Sequence, residues 1–331
     1  MDKKKFLVTG GAGFIGSEIV RQLLTKGHYV RVADDLSKKD LSASLKASAS
    51  VDSRADFVKI DLTNSNKTAN VFKGIDIVIN AAAKIGGIGY FHEYPASILS
   101  ENNKIYSSTF EAAAKNKIAR MVYISSSMVF ESATAFPSKE EDVQKIPPPV
   151  TSYGFSKLIG EWYCRAFWDE YKLPYSITRP FNAYGVNEFP EREVGYAHVI
   201  PDLVRKILCD QYPLNLLGDG KQTRCFTHVS DVASGIIAVA LHKNGENQDF
   251  NIGSDKEIKM IDLAKEIWQL MGVSKQFKVK FVQGFRHDIR RRVPDVTKVK
   301  KMINWQPKVK FENGLKEVIN WLKEQKAQGK L

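Results

Sequence analysis

The chain has 331 residues, 43% of them hydrophobic, enough to bury a large core as one two-lobed domain or as two domains sharing an interface. Its net charge of +12 is dispersed, apart from "FRHDIRRRVPD" and a basic tail, and no nucleic-acid module accompanies it; the excess reads as a solvated exterior with a few arginines turned toward a polyanionic small molecule, not as a nucleic-acid surface. Cys164, Cys209 and Cys225 are far apart, without a CxxC pair or histidines at ligand spacing, which argues for reduced thiols and against a disulfide framework or a metal centre.

The first residues, "MDKKKFLVTGG", pass from lysines straight into a strand pattern. No signal-type apolar segment and no run of about 18 apolar residues follows, so a soluble, cytoplasmic protein without membrane contact is expected. "KFLVTG" precedes "FIGSEIVRQLLTKG", where Ile15, Ile19 and Leu23 recur at helical spacing. Strand patterns continue with "YVRVAD", "ADFVKIDL", "DIVINAAA", "ARMVYISSS" and "PYSITRP". Helical stretches separate most of them, notably "PASILSENNKIYSSTFEAAAKN" and "SYGFSKLIGEWYCRAFWDEY". This alternation predicts an α/β fold: a doubly wound parallel sheet of the Rossmann type with helices on both faces. Beyond about Pro180, loops rich in Gly, Pro and charge carry shorter elements, and two helical patterns close the chain. The expected division is a nucleotide-binding unit over 1–180, with a return segment near 223–250, and a smaller α/β substrate lobe over 181–331. No internal repeat is present, and "KIPPPVTS" is too short to be a domain linker.

"VTGGAGFIG" places Gly10, Gly13 and Gly16 at GxxGxxG spacing between a strand and an amphipathic helix. Glycines there let the backbone approach a pyrophosphate resting on the helix N-terminus. Both flanking elements are present, which makes the motif specific. The second strand ends in "VADD", and Asp34 lies about 20 residues beyond the glycines, where an acid bonds the ribose 2′-hydroxyl and repels a 2′-phosphate. NAD is therefore expected in preference to NADP; the bland alternative is that Asp34 starts a turn. Asp61 and the small-residue run from Asn80 to Lys84 end later strands on the same side.

"TSYGFSK" holds Tyr153 and Lys157 one helical turn apart. An ammonium at that spacing is expected to lower the phenol pKa, making Tyr153 a base near neutral pH, with Ser126 from the preceding strand edge sharing the proton. A Tyr and a Lys four apart are often a surface pair; the nucleotide-binding pattern and the serine strand are what raise this one above that.

With "TGGAGFIG", "SSS", "YGFSK", "RPFNAYG", "GDGKQTRCFTHVSDV" and "FNIGS" in this order, nearly the whole chain resembles the extended short-chain dehydrogenase/reductases that act on nucleotide sugars. The resemblance implies NAD in the N-terminal lobe, contacted by Gly10, Gly13, Phe14, Ile15, Gly16, Asp34, Asp61, Leu62, Ala81, Ala82, Lys84, Asn103, Tyr153, Lys157 and Pro180. It implies a nucleoside-diphosphate sugar in the other lobe. Tyr153 would deprotonate a sugar hydroxyl, usually at C4, while the nicotinamide takes the C4 hydride.

"AAAKIGGIGYFHEYPASIL" and "YAHVIPDLVRK" are locally similar to GDP-mannose 3,5-epimerases and GDP-fucose synthases. Those enzymes carry a cysteine two residues after the catalytic serine, with a Lys or His as second proton carrier. Here the second position is His198 and the cysteine position is Met128. A thioether exchanges no proton at biological pH. The acidic pair of the 4,6-dehydratases and the Glu of related decarboxylases are absent as well. Met128 thus counts against 3,5-epimerisation, dehydration and decarboxylation by those routes. Hydride removal from C4 and its return remain, as in the UDP-glucose 4-epimerases; a 4-dehydrogenase or 4-keto-reductase is the alternative, as is a C3 or C5 epimerase using His198. A non-enzymatic sensor on this fold would usually lack the Tyr or the Lys.

By the same resemblance, Arg224 and Arg292 reach the diphosphate, where guanidinium forks suit phosphate oxygens. Asn182 lies on the diphosphate side, and Pro180 and Phe181 wall the nicotinamide. Asp295 bonds the nucleoside ribose, and Ser127, Met128, His198 and Val199 surround the sugar. The "GGIG" loop with Gly87 is expected over the sugar, where glycine amides can approach hydroxyls; the alternative is a plain mobile turn. Arg290 and Arg291 read as surface charge. UDP- and GDP-sugar cues conflict, so the base stays open. A homodimer through the helices around 95–116 and 152–171 is expected, with Trp162 and Phe167 fitting either that interface or packing on the sheet.

Overall fold

The computed structural model describes residues 3–37, 51–191, 195–286 and 288–331. Six strands, β1 (Lys5–Thr9), β2 (Tyr29–Asp34), β3 (Asp56–Lys59), β4 (Ile77–Asn80), β5 (Arg120–Ile124) and β6 (Tyr175–Pro180), join the Gln248–Ile252 strand in one sheet. All neighbours run parallel. The spatial order, from the last strand, is β6, β5, β4, β1, β2 and β3. β4 and β5 are buried along their whole length, as strands covered on both faces must be, and their "IVIN" and "RMVYI" are apolar but for Asn80 and Arg120.

Helix α1 (Phe14–Thr25) and the Val229–Leu241 helix cover one face, where Ile19, Leu23, Val232 and Ile236 meet Val8, Ile79 and Val122. The Ser65–Val71, Pro95–Lys115 and Ser152–Tyr171 helices cover the other, with Tyr106, Phe110 and Cys164 against Leu7, Val78 and Met121. A further core gathers Leu203, Leu216, Leu263, Ile267, Leu315 and Leu322 from the C-terminal part of the chain.

The strand order reverses between β1 and β4, so their C-terminal ends splay and open a crevice there, the position where open α/β sheets bind ligands. β5 and β6 end beside it, delivering the serine run and Pro180. Behind them Arg179 of β6, fully buried, bonds Glu161 through Nε (2.8 Å) and Nη2 (2.7 Å) and Asp249 through Nη2 (2.8 Å). Glu161 also accepts from Ser125 (2.7 Å), so this ion pair braces the segment that leads from the end of β5 to Ser126. No helix among the described residues is long and apolar enough to cross a membrane.

Candidate active site

A cleft of about 1390 Å³ runs from the β1–α1 turn across the sheet edge to the second core. It is larger than an ordinary small-ligand pocket of roughly 300–1,000 Å³.

At one end lie Gly10, Gly13, Phe14, Ile15 and Gly16. Gly10 has φ +65, a left-handed conformation, and a Cβ there would stand 2.8 Å from Ala82 Cα. A Cβ on Gly16 would strike the Gly10 carbonyl oxygen. Gly13 precedes α1 without any side-chain cap, so the first N–H groups of a 12-residue helix point at the cleft unoccluded. Asp34, at the end of β2, accepts from the amides of Ala12 (3.0 Å) and Leu36 (2.9 Å). Burial raises its pKa, partly offset by those two bonds. The carboxylate thus tethers the glycine turn as well as facing the crevice. Asp61, Leu62, Ala81, Ala82 and Lys84 line the same wall. Asp61 accepts from Thr63 N (2.9 Å) and Oγ1 (2.7 Å), and the Lys84 ammonium pairs with Glu101 at 2.7 Å. The uncapped helix start, the glycine cradle and the acid at β2 fit a dinucleotide.

Asn103 is placed elsewhere. It is exposed and accepts from Tyr163 OH at 3.3 Å, outside the cleft lining. Its neighbour Asn102 is the inward residue, bonding Lys84 N (2.6 Å), Lys84 O (3.2 Å) and Ser156 Oγ (3.1 Å). Sequence reasoning missed Asn102, although its spacing from Ile98 and Tyr106 marks the buried face of that helix.

The Ser152–Tyr171 helix starts at Thr151, whose hydroxyl accepts from Gly154 N (3.1 Å), and Glu131 in turn receives the Thr151 amide and hydroxyl (both 2.9 Å). This anchors the first turn, which carries Tyr153. Tyr153 is 4% exposed and stacks on Phe91 with ring centres 4.4 Å apart. Burial pushes its pKa up to about 12; a hydrogen bond with Ser126 and the charge of Arg292 pull it down in part. Lys157 donates to Ile124 O (2.9 Å), with Nζ 5.9 Å from the Tyr153 ring centre. Burial pushes its pKa down to about 7. The expectation that a lysine ammonium lowers the phenol therefore needs correcting. Burial disfavours the charge of Lys157 itself, and among the described residues the downward pull on Tyr153 comes from Ser126 and Arg292.

Ser126 Oγ accepts from Met128 N (3.2 Å) and opens the Ser127–Phe130 turn. Met128 is buried with Tyr153, Phe91 and Ile98, with Tyr90 and Ile289 packed alongside. Its thioether thus sits in an apolar wall of the cleft. Phe91, Tyr90 and Ile289 are site residues that carried no signal in the sequence.

On the far side, Arg292 Nη1 donates to Ser127 Oγ (3.3 Å) and Asn182 Oδ1 (3.5 Å), while its Nε is buried without a partner. Burial, then the charge of Arg224, pushes its pKa down to about 9. Such a guanidinium fits an anionic ligand. Arg224 is already engaged, with Asp288 (3.0 Å) and the carbonyls of Thr223 (2.8 Å) and Ile289 (2.6 Å). Arg290 and Arg291 pair on the surface with Asp219 and Glu257.

His198 and Val199 line the cleft, and His198 Nδ1 meets Glu188. Pro180 lines it too, whereas Phe181 is fully buried with Val129 and Phe130 and forms no part of the lining. Asp295 lies outside, accepting from Thr297 N at 2.8 Å beside a separate surface depression. Gly87 reaches the cleft, but its amide donates to Tyr196 O (2.6 Å), and Gly89 N donates to Gly195 O (2.8 Å). The "GGIG" amides therefore hold the loop that carries His198 instead of pointing at a sugar.

The sequence model of the NAD dependent epimerase/dehydratase family matches residues 6–253. The chain belongs to that family. Its members are NAD enzymes of the extended short-chain dehydrogenase/reductase type, and the cleft described above holds the parts that type requires. The chain is 34% identical to the UDP-N-acetyl-alpha-D-glucosaminuronate decarboxylase of Bacillus cytotoxicus, over 97% of this chain and 98% of that one. It is 29% identical to GDP-mannose 3,5-epimerase 1 of Oryza sativa subsp. japonica, over 99% and 85%. Among solved structures, the UDP-glucuronic acid 4-epimerase of Bacillus cereus, in complex with UDP-glucuronic acid and NAD, superposes with a TM-score of 0.85 at 26% identity, covering 97% of this chain and 99% of that one. Epimerases and a decarboxylase thus share this architecture, and the local chemistry decides between them.

Proposed function

We propose that this enzyme interconverts the C4 epimers of a nucleoside-diphosphate sugar. The observation that carries the reading is the composition of the catalytic edge: Tyr153 and Ser126 are its proton-trading groups, and Met128 fills an apolar wall beside them. NAD held by the glycine turn and Asp34 would supply the hydride acceptor and donor for C4. Ser126 and Tyr153 receive the C4 hydroxyl proton and later return it. Lys157, close behind, becomes useful as a cation once an anion or hydroxyl reaches its buried Nζ. Arg292 serves the anionic part of the substrate. If the keto-sugar turns its other face before hydride returns, C4 is inverted.

The test uses UDP- and GDP-sugars carrying deuterium at C4, in ordinary water, read by proton NMR. Inversion with the label kept at C4 supports the reading. Inversion with label loss, or NADH accumulating in step with product, overturns it; the latter outcome means a 4-dehydrogenase.

A second reading is favoured by the 34% identity to a uronate decarboxylase over nearly all of both chains. A 4-keto uronate is a β-keto acid and loses CO2 without a base, so the absence of an acid at Met128 does not forbid it. An apolar wall even favours the step, since a desolvated carboxylate is the more reactive one. Release of CO2 from UDP-N-acetylglucosaminuronate, with a nucleotide pentose as product, identifies this outcome in the same panel.

We also infer a homodimer, because Trp162 is 63% exposed on the catalytic helix, with Phe155 and Tyr171 exposed on the same helix. Phe167 is not part of that surface, as it packs on Phe110 and Tyr163. Light scattering of wild type and Trp162→Lys tests this: a wild-type monomer refutes it.

A further inference from the structure

The catalytic tyrosine is covered by a segment that the C-terminal part of the chain holds in place. Phe91 lies in the Ile88–Glu93 helix, lines the cleft and stacks on Tyr153, with ring centres 4.4 Å apart and planes 9° from parallel. A helix of 6 residues is too short to persist unaided, so its position depends on what grips it. Gly87 N donates to Tyr196 O (2.6 Å), and Gly89 N donates to Gly195 O (2.8 Å). Tyr196 OH donates to Glu93, its ring meets Tyr90 edge-on at 5.5 Å, and His92 stacks on Phe285 at 5.8 Å. Residues on both sides of Phe91 are thus clasped to the 195–196 segment or to Phe285, while Phe91 itself packs with Met128, Ile98 and Tyr153.

We propose that Phe91 is a positioning residue for Tyr153: clasped by the 195–196 segment, it keeps water off the phenol and the hydroxyl on Ser126, and thereby sets the lower pH limit of turnover. The proposal rests on the reading above, in which Tyr153 trades the C4 hydroxyl proton. Among the described residues, the phenol faces Lys157 from its own helix, Ser126 and Met128 from the segment after β5, Tyr106 from the Pro95–Lys115 helix, Tyr90 from the Ile88–Glu93 helix, and Arg292. Ser126 and Arg292 favour the phenolate, whereas the cover disfavours it by excluding water. A phenolate without a water shell is also the stronger base. The cover therefore raises the pH at which Tyr153 ionises and speeds the proton transfer once it has. Phe91 exchanges no proton itself; it acts through Tyr153.

The experiment follows the phenol directly. Full-length enzyme labelled with carbon-13 at tyrosine Cζ is titrated by NMR, nucleotide-free and NAD-loaded, and Tyr153→Phe identifies the resonance. Nucleotide-free wild type should keep Tyr153 protonated past the ordinary tyrosine value of 10.0. Phe91→Ala should let it ionise roughly one to two pH units lower than in wild type. Gly87→Ala, whose Cβ would strike the Gly195 carbonyl oxygen and spread the clasp, should shift it in the same direction with Phe91 intact. If Phe91→Ala fails to fold, the Gly87→Ala titration decides. Phe91→Leu, which keeps an apolar cover, should recover most of the shift. In turnover, the acidic limb of the kcat/KM profile of Phe91→Ala should move down with the titration of the NAD-loaded enzyme, and kcat on the plateau should fall about tenfold, with NAD affinity unchanged. An unchanged Tyr153 titration overturns the proposal, as does a changed titration with an unmoved rate profile. So does a joint fall in kcat, NAD affinity and melting temperature without a pH shift, the signature of a residue that merely packs. If no sugar is inverted at C4 while the Phe91→Ala titration still shifts, the epimerase reading falls and the stack on Tyr153 stands.

Discussion

Replacing Lys157 with Met should make the protein inactive and, at neutral pH, more stable. The ammonium is 4% exposed, and burial brings its pKa from the ordinary 10.5 down to about 7. A lysine with a depressed folded-state pKa is more protonated in the unfolded chain, so its contribution to stability rises with pH between about 7 and 10.5 and is least favourable below about 7. At about 1.4 kcal/mol per pH unit, the full displacement corresponds to a burial penalty on the order of 5 kcal/mol. Between pH 7 and pH 9 the penalty should shrink by about 2 kcal/mol. Met fills a similar volume without a charge and escapes it. Urea unfolding of nucleotide-stripped wild type and Lys157→Met at pH 7, 8 and 9 reads the difference, and other titrating groups cancel in the comparison. A gap that narrows by about 2 kcal/mol as pH rises supports the reasoning. A gap that stays constant within about 0.5 kcal/mol would show that Nζ is solvated and charged throughout, and the account of the catalytic helix would have to change.

Asp34→Asn should weaken NAD binding about ten- to a hundredfold, the worth of one charge-assisted hydrogen bond of roughly 1.5–3 kcal/mol, and should narrow the preference over NADP; calorimetric titration with both nucleotides checks it. Gly16→Ala should abolish NAD binding, because its Cβ runs into the Gly10 carbonyl and pushes α1 off the turn; a retained nucleotide-induced rise in melting temperature would contradict that. Glu161→Gln should destabilise the protein by about 3 kcal/mol, since it leaves the buried Arg179 with Asp249 as its remaining carboxylate. A loss under about 1 kcal/mol in urea unfolding would mean that water reaches Arg179.

The legible parts of this molecule are those in which one element, or two adjacent ones, hold the whole feature. The glycine turn is read from a strand, three glycines and a helix that follow one another, and Tyr153 and Lys157 need only one helix. Asn103 and Asn102 show how close that reading runs to its limit. Both fall in one helix, and the phase set by Ile98, Tyr106 and Phe110 selects Asn102 as the inward residue. The sequence therefore held that answer. It did not hold the destination of the Gly87 amide, which bonds a carbonyl more than a hundred residues away. Backbone pairing at that range leaves no mark on residue identity. Nor could spacing reveal the electrostatics of Tyr153 and Lys157. One helical turn places phenol and ammonium near each other, but the sign of each shift depends on how much water the fold removes, and burial reverses the simple expectation for the lysine. Glu188 combines both difficulties. In "VNEFPE" it is one of two acids, and only the fold, by bringing it against the residue that starts the Val199–Leu208 helix, turns it into a partner of His198.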